Sequence, residues 1–119
     1  MKKELRKRPL VMVDLDGTLA EQLKEYQREI GKPIMPMVEL IRKEIESGAE
    51  VKIFTARASD WADELEKLDI ERFCVKYFGQ VLPITAIKEH EITRIYDDRC
   101  IQVEKNTGKL LNDNRGISN

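Results

Sequence analysis

The sequence predicts one α/β domain built around a mostly parallel sheet, and three observations carry that expectation. Short stretches rich in apolar residues at 10–15, 51–54, 81–84 and 92–96 read as strands, the first, with Leu10-Val11-Met12-Val13 apolar at consecutive positions, covered on both faces. Stretches of helical spacing lie between several of them, the alternation that makes a parallel sheet. Polar residues with chemistry available to them stand just past the strand ends, where sheets of this kind bind ligands.

Each element has its own justification. Leu10-Val11-Met12-Val13 is apolar at successive positions and runs into the acidic loop Asp14-Leu15-Asp16. The stretch 20–32 is polar, carries Gly31 and precedes Pro33, so it reads as an excursion with room for a helical turn. From Met35 the period changes. Met37, Val38, Ile41 and Ile45 recur at helical spacing, Pro36 suits a first turn and Gly48 a stop. After the strand at 51–54, Ser59 or Asp60 can cap a short helix carrying Trp61, Leu65 and Leu68 on one face. Asp69 can cap another, in which Ile70, Phe73, Cys74, Tyr77 and Phe78 repeat at three and four until Gly79. Strands follow at 81–84 and 92–96. Ile101 and Val103, then Leu110 and Leu111, flank Asn106-Thr107-Gly108, a hairpin turn. The organisation is one domain over 1–111 and a polar tail at 112–119, expected to be disordered.

Composition narrows the function classes. With 119 residues, 41% of them hydrophobic, the chain can bury one continuous core; two domains would each be too small for one. The 21 Lys+Arg nearly cancel the 22 Asp+Glu, which argues against a protein that coats nucleic acid or an anionic membrane. The basic cluster Lys2, Lys3, Arg6, Lys7 and Arg8 reads as a solvated start. Cys74 falls on an apolar helix face and reads as core; with Cys100 it makes no disulfide framework, and His90 stands alone, so no Cys/His metal cluster exists. No apolar run is long enough for a bilayer and the N-terminus has no apolar signal stretch, so the expected compartment is the cytoplasm. Lys52, between apolar neighbours, reads as a sheet-edge or loop-facing stem.

The strand ends supply the chemistry. The first delivers Asp14 and Asp16, which alternation places on one side of an extended chain, with Gly17 letting the backbone turn at once. The second delivers Thr55 and Arg57, and the last delivers Asp97 and Asp98, adjacent acids whose repulsion a cation would relieve. Lys88 lies in the connection before that last strand. Asp14-Leu15-Asp16-Gly17-Thr18 resembles the first motif of the haloacid dehalogenase superfamily. Val51-Lys52-Ile53-Phe54-Thr55 resembles the second, Lys88 stands where the third would be, and Ile95-Tyr96-Asp97-Asp98 resembles the fourth. The likeness runs from residue 10 to about residue 111. Gly31-Lys32-Pro33-Ile34, Thr55-Ala56-Arg57, Gly79-Gln80-Val81-Leu82-Pro83 and Asp97-Asp98-Arg99 look like the small, nearly capless, often phage-encoded members.

That resemblance implies a Rossmann-like three-layer sandwich with a minimal cap or none, and a Mg²⁺-dependent phosphohydrolase working through an aspartyl-phosphate. By the same likeness Asp14 is the nucleophile, and Asp16 the acid, then base. Thr55 and Lys88 hold the phosphoryl oxygens. The Mg²⁺ ligands would be the Asp14 side chain, the Asp16 backbone carbonyl and an acid of the fourth motif, Asp98 or Asp97. Arg57 and Arg99 look like equivalents in nucleotidase-like and polynucleotide 3′-phosphatase members. Either could grip a second phosphate or, equally, brace the acids as an ion pair. The implied partner is a phosphorylated substrate, a nucleotide or nucleic-acid end, with no membrane involved. An open site of this kind can also be closed by a partner subunit, such as a second copy of the chain. Two readings stand beside this one: a silent module that binds Mg²⁺ or phosphate, and a phosphotransferase of the same fold.

Overall fold

Four parallel strands form the centre of the molecule, in the order β3-β2-β1-β4. The computed structural model describes residues 8–25, 28–59 and 64–112. Along the chain come β1 (Leu10–Val13), α1 (Met35–Glu46), β2 (Glu50–Phe54), α2 (Glu64–Phe78), β3 (Ile84–Thr85) and β4 (Arg94–Tyr96). The chain steps outward from β1 to β2 to β3 and then returns to lay β4 along the other side of β1. β1 is therefore interior, and every one of its four residues is fully buried, as its unbroken apolar run requires. This is the Rossmann-like α/β sandwich that the sequence predicts.

Register decides which side chains meet which layer. Val11, Val13, Val51 and Ile53 alternate onto one face and join Val38 and Ile41 of α1 and Ile70, Phe73 and Cys74 of α2 in one core. Truncating a central member such as Ile41 to alanine is worth about 2–5 kcal/mol. The other outer layer includes connecting loop. Lys52, in register with Met12, reaches Glu89 of the β3–β4 connection at 2.6 Å. It is thus loop-facing, as the sequence suggests, but sits on a strand flanked on both sides rather than on an edge.

Polar contacts fix the helices to the sheet. Arg94 of β4 makes a two-pronged pair with Glu44 of α1 at 2.9 and 3.0 Å, and the Tyr96 hydroxyl lies 3.4 Å from the same carboxylate. Arg42 of α1 donates to the Tyr77 carbonyl at 2.8 Å, satisfying one of the orphan acceptors in the last turn of α2. The chain leaves α1 through Gly48 and α2 through Gly79, at φ +97° and +72°, conformations that favour glycine.

Several elements differ from the sequence reading. The helix placed from Ser59 and the one placed from Asp69 are represented by a 3-10 turn, Ala56–Ser59, and a single helix, α2. Asp69 lies inside that helix and pairs with Arg28 at 3.1 Å instead of capping. Leu65 and Leu68 are 52% and 43% exposed rather than core. The reason is rotational: Ile70, Phe73, Cys74 and Tyr77 face the sheet, and at 100° per residue Leu65 and Leu68 fall on the opposite side. Residues 60–63, Trp61 among them, lie outside the described residues. The strand expected at 81–84 begins later, at Ile84, leaving Val81 exposed and Leu82 buried. The described part of the 20–32 excursion holds no helical turn and is zipped at its neck by the Ala20–Pro33 bridge. Val103 and Leu110 pair across the expected hairpin, with Asn106 and Gly108 at positive φ. Asn112, first residue of the expected tail, accepts from the Gln102 backbone N–H; 113–119 and the basic start at 2–7 lie outside the described residues. No helix of the described residues is long and apolar enough to cross a membrane.

Candidate functional site

The sheet order reverses at β1, and the carboxyl ends of β1, β2 and β4 meet at that switch point, where open α/β sheets place their ligands. One further backbone hydrogen bond, from the Asp14 N–H to the Tyr96 carbonyl at 2.9 Å, carries the β1–β4 pairing past the end of β1. It sets Asp14 next to the pair that follows Tyr96. The result is a trio: Asp14, Asp97 and Asp98 each offer a carboxylate oxygen, all within 4.8 Å of one another.

The loop after Asp14 is folded tightly beneath this trio. The buried Leu15 carbonyl accepts from the N–H groups of Leu19 and Ala20 at 3.0 Å, and Gly17 donates to the Ala20 carbonyl at 2.7 Å. Gly17 sits at φ +89°, and a Cβ there would lie 2.8 Å from Asp98 Oδ2. Only glycine fits both demands. Thr18 then knots the two chain segments together. Its hydroxyl accepts from the Asp98 N–H at 3.1 Å and lies 3.2 Å from Asp98 Oδ1 and 3.4 Å from Asp14 Oδ2. With a single proton to donate, it serves one carboxylate at a time.

Charge is crowded here. Burial, a carboxyl–carboxyl hydrogen bond with Asp98, and the charges of Asp97 and Asp98 push Asp14 from 3.8 up to about 7. Asp97 Oδ1 accepts from the Arg99 N–H at 2.8 Å, which holds its turn but leaves its charge in place. All the donors are hard carboxylate oxygens, and their mutual repulsion is what a divalent cation removes, so the trio fits Mg²⁺. Asp97 lines the cleft with Asp14, while Asp98 stands on the Gly17 and Thr18 side.

Asp16, two residues on, has a different setting. Arg57 donates to it through Nε at 2.8 Å and a terminal nitrogen at 2.9 Å, a fork-to-fork pair. The guanidinium is only 5% exposed, and Glu66, 7% exposed, accepts from it at 3.1 Å. Of the two roles the sequence leaves open for Arg57, the geometry here is that of the brace.

A cleft of about 880 Å³ opens over these strand ends, lined by Asp14, Asp16, Thr55, Arg57, Asp97 and Arg99, with Gln22 and Arg28 from the excursion. Thr55 is almost fully buried at the end of β2, and its hydroxyl accepts from the Arg57 N–H at 3.2 Å. Arg99 is exposed and donates to Gln22 at 3.2 Å. Lys88 is exposed and is not part of the lining, although its charge, like those of the trio, is felt at Cys100. Sequence reasoning gave no role to Thr18, Glu66 or Arg28. Glu66 carried a signal: it lies four and seven residues before Ile70 and Phe73, an acid on the apolar face of a helix, which calls for a buried cation.

No protein-family model matches the chain, and no curated protein matches it. Among solved structures, it is similar to a conserved protein coded by a locus of Bacteroides thetaiotaomicron, with a TM-score of 0.59 over 79% of this chain and 78% of that one. At 18% identity the likeness shows a shared fold and nothing finer.

Proposed function

We propose that the protein is a Mg²⁺-dependent phosphomonoesterase of the haloacid dehalogenase type, with Asp14 as its nucleophile. The observation that carries this reading is the trio itself. Asp14 stands at an interior strand end, pushed up to about 7 by burial and two neighbouring acids, on the wall of an open cleft. A carboxylate placed so is costly unless a cation accompanies it, and phosphoryl transfer to a carboxylate needs that cation.

Asp14, Asp97 and Asp98 would hold the Mg²⁺, with the Asp16 backbone carbonyl as the resemblance implies. The ion supplies charge neutralisation for a dianionic ester facing a carboxylate. A carboxylate oxygen of Asp14 attacks phosphorus while the bond to the ester oxygen breaks, leaving the phosphoryl group on Asp14. Asp16, protonated at one of the lone pairs that the Arg57 fork leaves unused, would give that proton to the departing oxygen, then take one from the water that attacks phosphorus; inorganic phosphate leaves and Asp14 is free again. The Thr55 hydroxyl, at the end of β2, would bind a phosphoryl oxygen. Lys88, exposed beside the site, adds a phosphate contact only by swinging in over the substrate. Arg99, exposed in the cleft lining, would meet a second phosphate.

The cleft is of the size that takes a nucleotide, so the substrate class proposed is nucleotides or nucleic-acid ends bearing a terminal phosphomonoester. The test is a panel of phosphomonoesters with and without Mg²⁺, with Asp14→Asn alongside. Turnover that needs both Mg²⁺ and Asp14 supports the reading. Equal rates for wild type and Asp14→Asn on every ester would remove it.

A further inference from the structure

Resting on that reading, we infer that Arg57 is a positioning residue for Asp16, itself held by Glu66, and not a phosphate-gripping one. The argument is a count of donors. A guanidinium has five N–H groups in a fixed plane. Here Nε donates to Asp16 Oδ2 at 2.8 Å; one terminal nitrogen donates to Asp16 Oδ1 at 2.9 Å and the Glu29 carbonyl at 3.2 Å; the other donates to Glu66 Oε1 at 3.1 Å and the Arg28 carbonyl at 2.8 Å. All five are committed to the protein. A phosphoryl oxygen would have to displace one of these partners, and the two carboxylates among them are already charge-assisted.

What the arrangement does is fix Asp16 in space. Two parallel hydrogen bonds set both the position and the plane of its carboxylate, and they hold it apart from the Asp14, Asp97 and Asp98 oxygens that crowd together. An acid–base group works only if its proton lies within hydrogen-bond reach of the reacting oxygen, so a carboxylate free to swing toward the trio would be lost to catalysis. Glu66, projecting from the sheet-facing side of α2, supplies the counter-charge that keeps the guanidinium buried and aimed. The carbonyls of Arg28 and Glu29 add a second consequence. The excursion, which lends Gln22 and Arg28 to the cleft lining, and the acid–base group share one anchor in Arg57.

The test separates protonation of the leaving group from binding of phosphate. p-Nitrophenyl phosphate expels a stable anion and needs little help from an acid; an alkyl ester such as 2-phenylethyl phosphate needs it fully. kcat/KM reports the step in which the leaving group departs. Arg57→Lys, which keeps the charge and loses the fork, is expected to lower kcat/KM for the alkyl ester by roughly 100-fold and for the aryl ester by only about 3-fold. The inhibition constant of inorganic phosphate should stay within about twofold. In an Asp16→Asn background, Arg57→Lys should add nothing to the alkyl-ester loss. Glu66→Gln should shift the alkyl-to-aryl ratio the same way, by less, and is read alone if Arg57→Lys fails to fold. Equal losses on both esters with weaker phosphate inhibition would overturn the inference, as would additive losses in the Asp16→Asn background, or an unchanged ratio in Glu66→Gln. Wild type with no Asp14-dependent turnover of either ester would instead sink the phosphatase reading, and this inference with it.

Discussion

Asp14 and Asp16 leave the same strand two residues apart, yet the structure treats their charges in opposite ways. Around Asp14 stand two more acids and no paired cation among its described contacts, and burial together with those acids pushes its carboxyl up to about 7. Around Asp16 a buried arginine matches the carboxylate atom for atom, backed by Glu66. One pole of the cleft is left uncompensated and the other is fully paired. An uncompensated pole costs stability until something positive arrives, which suits a place where a cation and an anionic substrate meet. A paired pole offers little to a ligand but holds geometry, which suits a group that must move a proton along a fixed line.

Changes at the two poles should therefore have different signatures, and the largest effect belongs to the open one. Asp14→Asn should abolish turnover, by roughly a thousandfold or more, while raising the melting temperature of the metal-free protein by ~2–5 °C, because a repelling charge is gone. Calorimetry with added Mg²⁺ checks the second half: wild type should be stabilised by the ion and the variant hardly at all. A variant less stable than wild type without metal would contradict the account of the open pole.

Gly17→Ala comes next. Left-handed backbone and a Cβ 2.8 Å from Asp98 Oδ2 act together, so a loss on the order of 2–3 kcal/mol is expected in chemical denaturation, with Mg²⁺ binding weakened as Asp98 is pushed aside.

pH distinguishes the poles without mutation. Because the folded state holds the Asp14 proton up to about 7 against 3.8 in an ordinary setting, this group's contribution to stability falls as pH rises between those values and is level outside them. Metal binding must expel the same proton. Mg²⁺ affinity, measured by titration calorimetry, should rise about tenfold from roughly pH 6 to pH 8, with proton release at the lower pH. Affinity flat across that range would mean Asp14 is not a ligand.

Thr18→Val is the mildest change. It deprives the Asp98 N–H of its acceptor and the two carboxylates of a shared donor, for about 1–2 kcal/mol in thermal or denaturant unfolding.

How much of this was legible in the sequence follows the same divide. The open pole was readable because it is written in local pattern: an apolar run, two acids at alternate positions, a glycine to turn on, and another apolar run ending in two acids. The parallel sheet was readable for the same reason. The paired pole was only half readable: the brace stood as one of two roles for Arg57, and the choice between them depends on the rotation of one helix. Spacing shows that α2 is amphipathic along part of its length, but which face of its first turn looks inward is fixed by Ile70, Phe73 and Cys74 further on. The early leucines, Leu65 and Leu68, pointed the wrong way. Once the face is known, Glu66 falls inside and Arg57 has its counter-charge. Lys88 shows the reverse failure: its position in the order of motifs was suggestive, but nothing in its own neighbourhood specified which way a long side chain in a loop would lie.

The hydrogen bond between Thr18 and Asp98 spans 80 positions of the chain. A fragment that stopped short of β4 would carry Asp14 without its two companions. During synthesis the acidic trio therefore forms only once β4 docks against β1. On the proposed reading, binding of the cation would report completed threading, and in a pulse-labelled nascent chain the ability to bind Mg²⁺ should lag well behind the first signs of compact structure.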